Sequence, residues 1–486
     1  MHAGASQENV VWLEPPDTGK GTGPDTGTGA PHLLEALSQS MALPPVLSAR
    51  ERLTRWQWEA LGGLIVALIL AALLVPVLLG VAAKVVFWLL FSLTVVWRLA
   101  LTIIGVLEKL AARKMRAATR TADEDLPVYS IAIALRHEQN MMDQLATSLR
   151  AIDWPEGKLD IMLLIEADDT GTLDAALAAD FPPGTDCIIV PPGTPLTKPR
   201  ALNYGLAAAM GEYIAVLDAE DRPHPAQFRE AYDLFCRKGD ALKCVQAPLM
   251  ASNGADGWLP GQWSLEYAVQ FGLHVPALAS LGLPVMLGGT SNHFRRADLI
   301  AFGGWDAWNV TEDADLGLRI ARLGGRTETI QSGTLETAPE NLTIWLNQRS
   351  RWIKGFVQTW LVCMRTPVSL ILELGPLRWL SLQLTLGGAI VSAFLYGPMV
   401  LMILLGTLLP QIFNYTPVDL GLFVAGCTGC MVADILAPGK WSLSRAIAIV
   451  TRPFYWPLLT AAAIKAVVGL VLQPSYWAKT PHMPTA

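Results

Sequence analysis

The sequence is poor in charged residues: Asp, Glu, Lys and Arg make up 16% of its 486 residues, whereas ordinary soluble domains contain about 25%. Hydrophobic residues make up 52%. This composition argues against a single soluble enzyme domain. It also argues against a disordered protein, because disordered chains contain few apolar residues. The net charge of −6 leaves no basic excess, which disfavours a nucleic-acid-binding protein.

Cysteine is scarce as well. Six Cys in a chain of this length are too few for a disulfide scaffold. Those in the polar middle of the chain are expected to be reduced, as in a cytosolic compartment; they are Cys187, Cys236 and Cys244. His and Cys show no zinc-type spacing, which disfavours a zinc site. Residues 1–50 lack the basic and apolar stretches of a signal peptide, and their Gly- and Thr-rich run predicts a disordered N-terminal tail.

Long apolar runs are present at both ends of the chain. At 1.5 Å per residue each is long enough for the roughly 30 Å hydrocarbon layer of a bilayer. The runs are Leu61–Leu79, Val85–Leu107, Leu380–Leu409, Leu420–Leu436 and Ala446–Leu472. They predict about five membrane helices: a hairpin of two within 51–110 and three within 377–475, followed by a tail at 476–486. Residues 380–409 are long for one crossing, so one helix or two remains open there.

Lys and Arg flank these helices unevenly. Three segments are basic: Arg50–Arg55, Lys109–Arg120 and Lys440–Arg452. The loop between the first two helices holds only Lys84, and residues 410–419 hold neither Lys nor Arg. Because basic loops stay in the cytoplasm, this pattern predicts a cytoplasmic middle domain and a C-terminus on the outer side.

The segment Arg351–Leu374 combines charged side chains with Trp, Phe and Leu. Its apolar positions recur at helical spacing. This pattern predicts an amphipathic helix in the membrane interface, within a region at 349–376. The alternative is an ordinary helix packed on the soluble domain.

The middle of the chain, residues 111–348, alternates short apolar runs with helical segments. Strands are predicted at 128–135, 159–165, 186–190 and 212–217, and helices at 140–152, 173–179 and 201–210. This alternation predicts right-handed βαβ units, and therefore an α/β fold with a mostly parallel sheet. Ligands of such sheets bind beyond the carboxyl ends of the strands.

Acidic residues cluster at two of those strand ends. The clusters are Glu166, Asp168 and Asp169 after the second strand, and Asp218, Glu220 and Asp221 after the fourth. Grouped carboxylates suit a hard divalent cation such as Mg²⁺ or Mn²⁺. The alternative is that these acidic residues only decorate solvent-exposed loops.

Two further motifs stand nearer the C-terminal apolar region. Thr311-Glu312-Asp313 opens a predicted helix, and its simplest role is helix capping with acidic residues at the positive dipole end. Gln348-Arg349-Ser350-Arg351-Trp352 precedes the membrane helices, and its simplest role is that of an aromatic and basic membrane anchor.

The order of these motifs resembles that of the processive, inverting family 2 membrane glycosyltransferases, the group of cellulose, hyaluronan and poly-N-acetylglucosamine synthases. The resemblance covers residues 60–475. Its main matches are Asp168-Asp169, Asp218 to Asp221, Thr311 to Asp313, and Gln348 to Trp352. Smaller matches are His137 to Asn140, Lys198 to Asn203, Val245 to Pro248, and Gly288 to Ser291.

The second acidic motif departs from the family's usual D-x-D, since it reads D-A-E-D. This form resembles a bacterial subgroup of β-glucan-type synthases. By register Glu220 is favoured over Asp221 as the second metal-side residue.

The resemblance implies a cytoplasmic GT-A type nucleotide-sugar-binding domain inserted between membrane helices, in a bacterial inner membrane. It implies transfer of a sugar, by default glucose, from a UDP-sugar to a growing β-linked polysaccharide. Export or periplasmic partners, membrane lipid and a Mg²⁺ or Mn²⁺ cofactor are further expectations. Nucleic acid is not an expected partner.

The resemblance also assigns roles to residues. Asp313 would be the general base, with Glu312 beside it in the catalytic pair, and Asp218 and Glu220 would hold the metal. Residues expected to bind the nucleotide sugar are Glu138, Asp168, Asp169, Lys198, Asp218, Arg349 and Arg351. Residues expected to bind the acceptor are Thr311, Gln348 and Trp352.

Two other functions remain open. A non-processive transferase acting on a lipid acceptor is favoured by the helix count, because cellulose synthase has more membrane helices. A catalytically dead, transferase-like transport or receptor component is the third hypothesis. The intact Asp218, Asp313 and Trp352 argue against it.

Overall fold

The structure is a computed structural model that describes residues 10–11, 43–112, 121–412 and 414–473. Most of the predicted N-terminal tail and all of the tail at 476–486 lie outside these ranges. The strands are β1 Val10–Val11, β2 Tyr129–Leu135, β3 Leu159–Glu166, β4 Thr185–Val190, β5 Tyr213–Leu217, β6 Arg222–Pro223, β7 Leu242–Gln246, β8 Leu249–Ala251, β9 Asn292–Arg295, β10 Arg326–Thr329 and β11 Thr334–Glu336.

The α-helices fall into three groups along the chain. Two precede the sheet: α1 Arg55–Leu74 and α2 Pro76–Ala112. Eight surround it: α3 Met142–Arg150, α4 Thr170–Ala178, α5 Lys198–Ala208, α6 Gln227–Lys238, α7 Trp258–Val269, α8 Val275–Ser280, α9 Arg296–Ala301 and α10 Glu312–Arg322. Six follow it: α11 Leu342–Cys363, α12 Pro367–Leu382, α13 Gly388–Leu408, α14 Pro417–Leu436, α15 Leu443–Val450 and α16 Arg452–Leu472.

The main sheet has eight strands in the order β1-β4-β3-β2-β5-β9-β7-β10. Its pairs are parallel except for β9, which runs antiparallel to both of its neighbours. The four predicted strands are confirmed to within one residue at each end. All eight residues of β3 are buried, as expected for a strand covered on both faces. A smaller sheet has the order β6-β11-β8.

One hydrophobic core joins the sheet to the apolar helices. It runs from Ala132 and Val216 on the sheet through the fully buried Trp345 to Tyr455 and Ala462 on α16. The side of the sheet that carries Ala132 and Val216 is therefore packed together with the apolar helices as one unit. A second core lies on the other face of the sheet, under α3 and α6.

Five helical segments in the described ranges are long and apolar enough to cross a membrane: Arg55–Leu74, Pro76–Ala111, Pro367–Leu408, Pro417–Leu436 and Arg452–Leu472. The predicted number of helices on each side of the sheet is confirmed. Together with the mostly parallel sheet, this confirms the expected fold class of an α/β domain between two groups of apolar helices.

The bounds of the first two helices differ from the prediction. Helix α1 ends at Leu74, one non-helical residue, Val75, follows, and Pro76 begins α2, which continues through Lys84. The predicted loop at the hairpin tip is therefore wrong. Proline suits the first turn of a helix because its missing N–H has no partner there, so it starts α2 within a continuous apolar run. Lys84 lies on this helix and pairs with Asp419 of α14 at 2.8 Å.

The predicted interface helix at 351–374 is wrong in its bounds. Helix α11 begins at Leu342, where the Asn341 side chain accepts from the amide of Thr343 at 2.7 Å, and it ends at Cys363. The next helix, α12, breaks at Gly375, whose φ of 74° belongs to the left-handed region. A π-helical turn over 383–387 then joins it to α13, so residues 380–408 form one continuous helical run.

Residues 43–51 are not part of a disordered tail. This segment, the N-terminal arm, lies just before α1 and packs against the α/β domain. Ser48 Oγ donates to Asp306 Oδ1 at 2.8 Å, and both side chains are buried. Arg365, just after α11, donates to the carbonyl of Ser48 at 2.7 Å. The arm therefore ties the loop before α10 to the end of α11.

Candidate active site

A cavity of about 350 Å³ opens at the carboxyl ends of β2 and β5 and extends to the apolar helices. Eleven of the thirteen predicted site residues line it: Glu138, Lys198, Asp218, Glu220, Thr311, Glu312, Asp313, Gln348, Arg349, Arg351 and Trp352. These residues come from five separate segments of the chain. The fold brings them to one place, and their individual roles remain predictions.

Lys198 and Asp218 form an ion pair at the sheet end of the cavity. Lys198, the first residue of α5, also donates to the carbonyl of Gly289 at 2.8 Å. Burial acts to lower the pKa of this amine. The carboxylates of Asp218 and Glu312 outweigh burial and hold the pKa of Lys198 above its usual range. The ammonium is therefore charged, and it neutralises part of the surrounding negative charge.

The D-A-E-D turn divides its two later acids between different tasks. Asp221 is buried and accepts from the amide of Asp218 at 2.7 Å and from the Thr290 hydroxyl. It therefore closes the turn instead of facing the cavity. Glu220 lines the cavity beside Asp218. This geometry supports the preference for Glu220 over Asp221 as the second metal-side residue.

The residues present fit an open divalent site. Asp218 and Glu220 offer carboxylate oxygens to the same cavity. Within the described part of the chain no group of three or more His, Cys, Asp or Glu residues forms a closed metal site. Mg²⁺ is commonly held by one or two protein carboxylates, with water and substrate phosphates completing its shell.

Glu312 and Asp313 begin α10 and face the cavity. Burial, and next the carboxylate of Asp313, raise the pKa of Glu312 to about 7. Burial also raises the pKa of Asp313. Adjacent carboxyl groups resist simultaneous ionisation, so an ionised Asp313 makes ionisation of Glu312 more costly. Thr311 occupies the N-cap position but its side chain makes no capping hydrogen bond, so the predicted capping role of Thr311 is wrong.

Helix α11 directs its motif into the cavity. Arg351 is close enough to Glu312 and Asp313 for electrostatic interaction, although burial lowers its pKa below the usual value. Trp352 lies under the guanidinium of Arg349, which is 4.6 Å from the ring centroid. The ring of Tyr267 lies 6.3 Å from the Trp352 ring, centroid to centroid, at an interplanar angle of 17°. These cavity contacts are not those of a simple membrane anchor.

Arg349, predicted to bind the nucleotide sugar, and Gln348, predicted to bind the acceptor, both contact α7. Arg349 ion-pairs with Glu266 of α7, away from the Lys198–Asp218 pair. Gln348 accepts from Trp263 Nε1 at 3.4 Å, so both side chains of the motif also serve packing against α7.

Asp168 and Asp169 do not line the cavity. Asp168 is exposed and pairs with Arg136 at 3.2 Å. Asp169 caps α4 by accepting from the Thr172 amide at 3.2 Å, and it accepts from the amide of His137. Burial acts to raise the pKa of Asp169, but these hydrogen bonds hold it below its usual value. Asp169 therefore shapes the loop that places Glu138 at the cavity edge.

Sequence reasoning missed several residues of the site. Glu336 of β11 and Tyr267 of α7 both line the cavity. Burial, and next the carboxylate of Asp221, raise the pKa of Glu336 well above its usual value. The strand that carries Glu336 has only three residues and no apolar run to mark it. In the sequence, only the place of Glu336 shortly before α11, the helix that carries Gln348 to Trp352, points to a role in the site.

A second missed group holds the two motifs together. Asn309 Nδ2 donates to Thr359 Oγ1 at 2.8 Å, which joins the loop before α10 to α11. Gly355 faces Thr311 so closely that a β-carbon at position 355 would lie 2.3 Å from Thr311 Oγ1. Only glycine allows α11 to approach the loop to this distance.

Residues 213–414 match the family model described as Glycosyl transferase family group 2, and residues 130–283 match the one described as Glycosyl transferase family 2. The chain therefore carries a glycosyltransferase family 2 domain, and the expected GT-A type of its α/β fold is confirmed.

Relatives of two kinds each match about half of the chain. The β-monoglucosyldiacylglycerol synthase of Trichormus variabilis is 27% identical over 247 residues, which are 49% of this chain and 50% of that protein. The cellulose synthase catalytic subunit of Pseudomonas fluorescens is 27% identical over 254 residues, which are 49% of this chain and 32% of that protein. The chain thus matches half of the length of the first relative and about a third of the second.

Among solved structures, a mannosyltransferase from Pyrobaculum calidifontis in complex with GDP-Man and Mn²⁺ covers 79% of this chain and 99% of its own. The sequence identity is 17% and the TM-score is 0.48.

Because Gly355 lies so close to Thr311, we expect alanine at position 355 to push α11 away from the loop that ends at Thr311. We expect Gly355→Ala to destabilise the protein by about 1–3 kcal/mol, the usual cost of overpacking, measured as a lower melting temperature in detergent. Adding Thr311→Ala should recover part of the loss. The control is Gly421→Ala, because nothing lies within 4 Å of a β-carbon there. An unchanged melting temperature in Gly355→Ala would contradict the proposed contact.

The raised pKa of Glu312 predicts a pH-dependent stability. The folded state binds this proton more tightly than the unfolded state, so stability falls as the pH rises from about 4.5 to about 7. Glu312→Gln removes the cost of ionisation and should raise stability at pH 8 by on the order of 1–3 kcal/mol, with little effect near pH 5. The measurement is the melting temperature in detergent across this range. Asp174→Asn, on the exposed face of α4, is the control. Parallel pH curves for wild type and Glu312→Gln would refute the prediction.

Proposed function

We propose that the protein is a membrane-embedded, inverting glycosyltransferase that transfers a hexose from a UDP-sugar to an acceptor hydroxyl held in the cavity. The observation that supports this function best is the arrangement of the cavity. It combines the Lys198–Asp218 pair, the carboxyl pair of Glu312 and Asp313, and the aromatic ring of Trp352. These are the parts that donor binding, proton removal and acceptor binding require.

The reaction joins the acceptor oxygen to the anomeric carbon and breaks the bond from that carbon to the diphosphate. Asp313 is proposed as the base that receives the acceptor proton. Glu312, whose pKa is raised to about 7, is proposed to hold a proton beside an ionised Asp313. Lys198 and Arg351 are proposed to stabilise the charge on the departing UDP. Mg²⁺ or Mn²⁺, held by Asp218 and Glu220, would supply further positive charge to the diphosphate when bound.

A growing β-linked glycan, with glucose as the default sugar, is the first proposed acceptor. Trp352 supports it, because an aromatic ring beside the base gives a flat surface for a sugar ring. A lipid acceptor is the second candidate. It is supported by the extension of the cavity to Arg98 and Ala389 on the apolar helices, and by the glucosyldiacylglycerol synthases among the relatives.

The proposed location is a bacterial inner membrane, with the catalytic domain on the cytoplasmic side. The basic segments before α1, after α2 and before α16 support this orientation. The ion pair between Lys84 and Asp419 joins two helices on the opposite side of the layer.

The purified protein incubated with a panel of UDP-sugars tests the function. We expect UDP release that depends on Mg²⁺ or Mn²⁺ and stops in excess chelator, because the cavity holds an excess of carboxylates. Labelled product that stays at the origin of a lipid chromatogram and runs as a polymer indicates the glycan acceptor. Product that migrates with lipid indicates the second candidate. No UDP release with any sugar in native-lipid nanodiscs would overturn the proposed function.

Asp313→Asn tests the assignment of the base. Asparagine keeps the shape of the side chain but cannot accept the proton, so turnover should fall by roughly 10²–10⁴-fold. UDP affinity should stay close to wild type, because Asp313 does not carry the donor. The measurement is turnover and UDP binding on the same preparation, with Asp174→Asn as the surface control. More than about a tenth of wild-type turnover in Asp313→Asn would exclude it as the base.

A further inference from the structure

The cavity is polarised along its length. The charged side chains that line its sheet end are mostly acidic: Glu138, Asp218, Glu220, Glu312, Asp313 and Glu336, against Lys198 and Arg351. Those that line its membrane end are mostly basic: Arg98, Arg349 and Arg452, against Glu266. The two ends therefore suit groups of opposite charge.

The carboxylates of the membrane end already have partners. Glu266 ion-pairs with Arg349 and accepts from the hydroxyl of Tyr455 at 2.9 Å. Asp434 of α14 pairs with Arg452 at 3.2 Å. Three arginines thus stand against two carboxylates, which leaves one positive charge in excess.

Asp434 and Glu266 also act electrostatically on Arg98, so the excess charge is shared by the three arginines. Arg98 is the one of the three that forms no ion pair within the described residues. Within the described ranges no carboxylate oxygen lies within 4.0 Å of its guanidinium nitrogens. His274, which lies just before α8 and also lines the cavity, adds no charge, because burial and then Arg98 lower its pKa to about 3. His274 Nε2 instead forms a hydrogen bond of 3.2 Å with Thr102 Oγ1 of α2.

Arg98 also has a defined depth. It stands fourteen residues after Lys84 on α2, about 21 Å along the helix axis at 1.5 Å per residue. The Lys84–Asp419 pair is at one side of the layer, so Arg98 lies toward the side that faces the catalytic domain. Charged side chains within membrane helices are costly and usually mark a functional site.

We propose that the membrane end of the cavity is a subsite for the phosphate group of a lipid acceptor, with Arg98 as its charged contact. This inference rests on the lipid-acceptor form of the proposed function. A phosphate would balance the excess charge, whereas a neutral glycan would leave it unpaired in a medium of low dielectric constant. Met286, Phe356 and Ala389 line the same cavity and offer an apolar surface to the chains of such a lipid.

Binding, measured without turnover, tests this subsite. The probes are dihexanoyl phosphatidic acid, dihexanoylglycerol, inorganic phosphate and UDP, added to the full chain in a neutral detergent. The wild type should bind the phosphatidic acid about ten- to a hundredfold more tightly than the neutral diacylglycerol, as expected for a charge-assisted contact. Arg98→Gln should remove this preference, and Arg98→Lys should keep part of it. Lys84→Gln, on the same helix but outside the cavity, should leave it unchanged.

The outcomes separate the two hypotheses. A wild type without preference for the phosphatidic acid overturns the subsite, even if Arg98→Gln fails to fold. The same holds if Arg98→Gln binds both lipids as the wild type does. Inorganic phosphate that displaces the lipid at equal concentration assigns the site to free phosphate and overturns the lipid source. If the wild type does not bind UDP but still prefers the phosphatidic acid, the result counts against the proposed function and not against the subsite.

Discussion

The contact between Gly355 and Thr311 is the constraint on which the site depends. The two residues lie on separate elements, yet α11 approaches the loop until no β-carbon fits between them. Helix α11 carries Trp352 and also packs along the apolar helix α16, where Lys354 donates to the Gln473 carbonyl at 3.2 Å. The same close approach therefore sets the distance from the carboxyl groups of Glu312 and Asp313 to the Trp352 ring and to the membrane helices.

Much of the sheet was predictable because β2 to β5 are buried apolar runs bounded by turn residues. The helix limits were less predictable, for physical reasons. Leu61–Leu79 is apolar throughout, so hydropathy does not register the break before Pro76. The motif from Gln348 to Trp352 also misleads, because its charged side chains next to an apolar stretch suggest that a helix begins there. The Asn341 cap nevertheless starts the helix two turns earlier, and the motif lies in its middle.

In the candidate site, the sequence predicts where the backbone of a residue lies better than it predicts which way the side chain points. Asp218 and Glu220 were placed correctly at the cavity, because a parallel sheet brings its carboxyl ends together. Asp169 was not, since a strand end fixes the backbone and not the side chain, which turns back to cap α4. Glu336 and Asp306 were missed because neither stands in a periodic element. Their importance comes from tertiary contacts alone, Glu336 with the cavity and Asp306 with the N-terminal arm.

Negative charge at the sheet end of the cavity sets the conditions for donor binding. Six carboxyl groups and two cations line that end, and a diphosphate brings further negative charge. Like charges at short range in a buried site repel strongly, so the full set of carboxylates cannot be ionised while UDP-sugar is bound. The raised pKa values of Glu312 and Glu336 provide part of the compensation through bound protons. A divalent cation held by Asp218 and Glu220 would provide the rest. The proposed metal requirement and part of the rise in the pKa of Glu312 would then have one origin, the repulsion between carboxylates in this cavity.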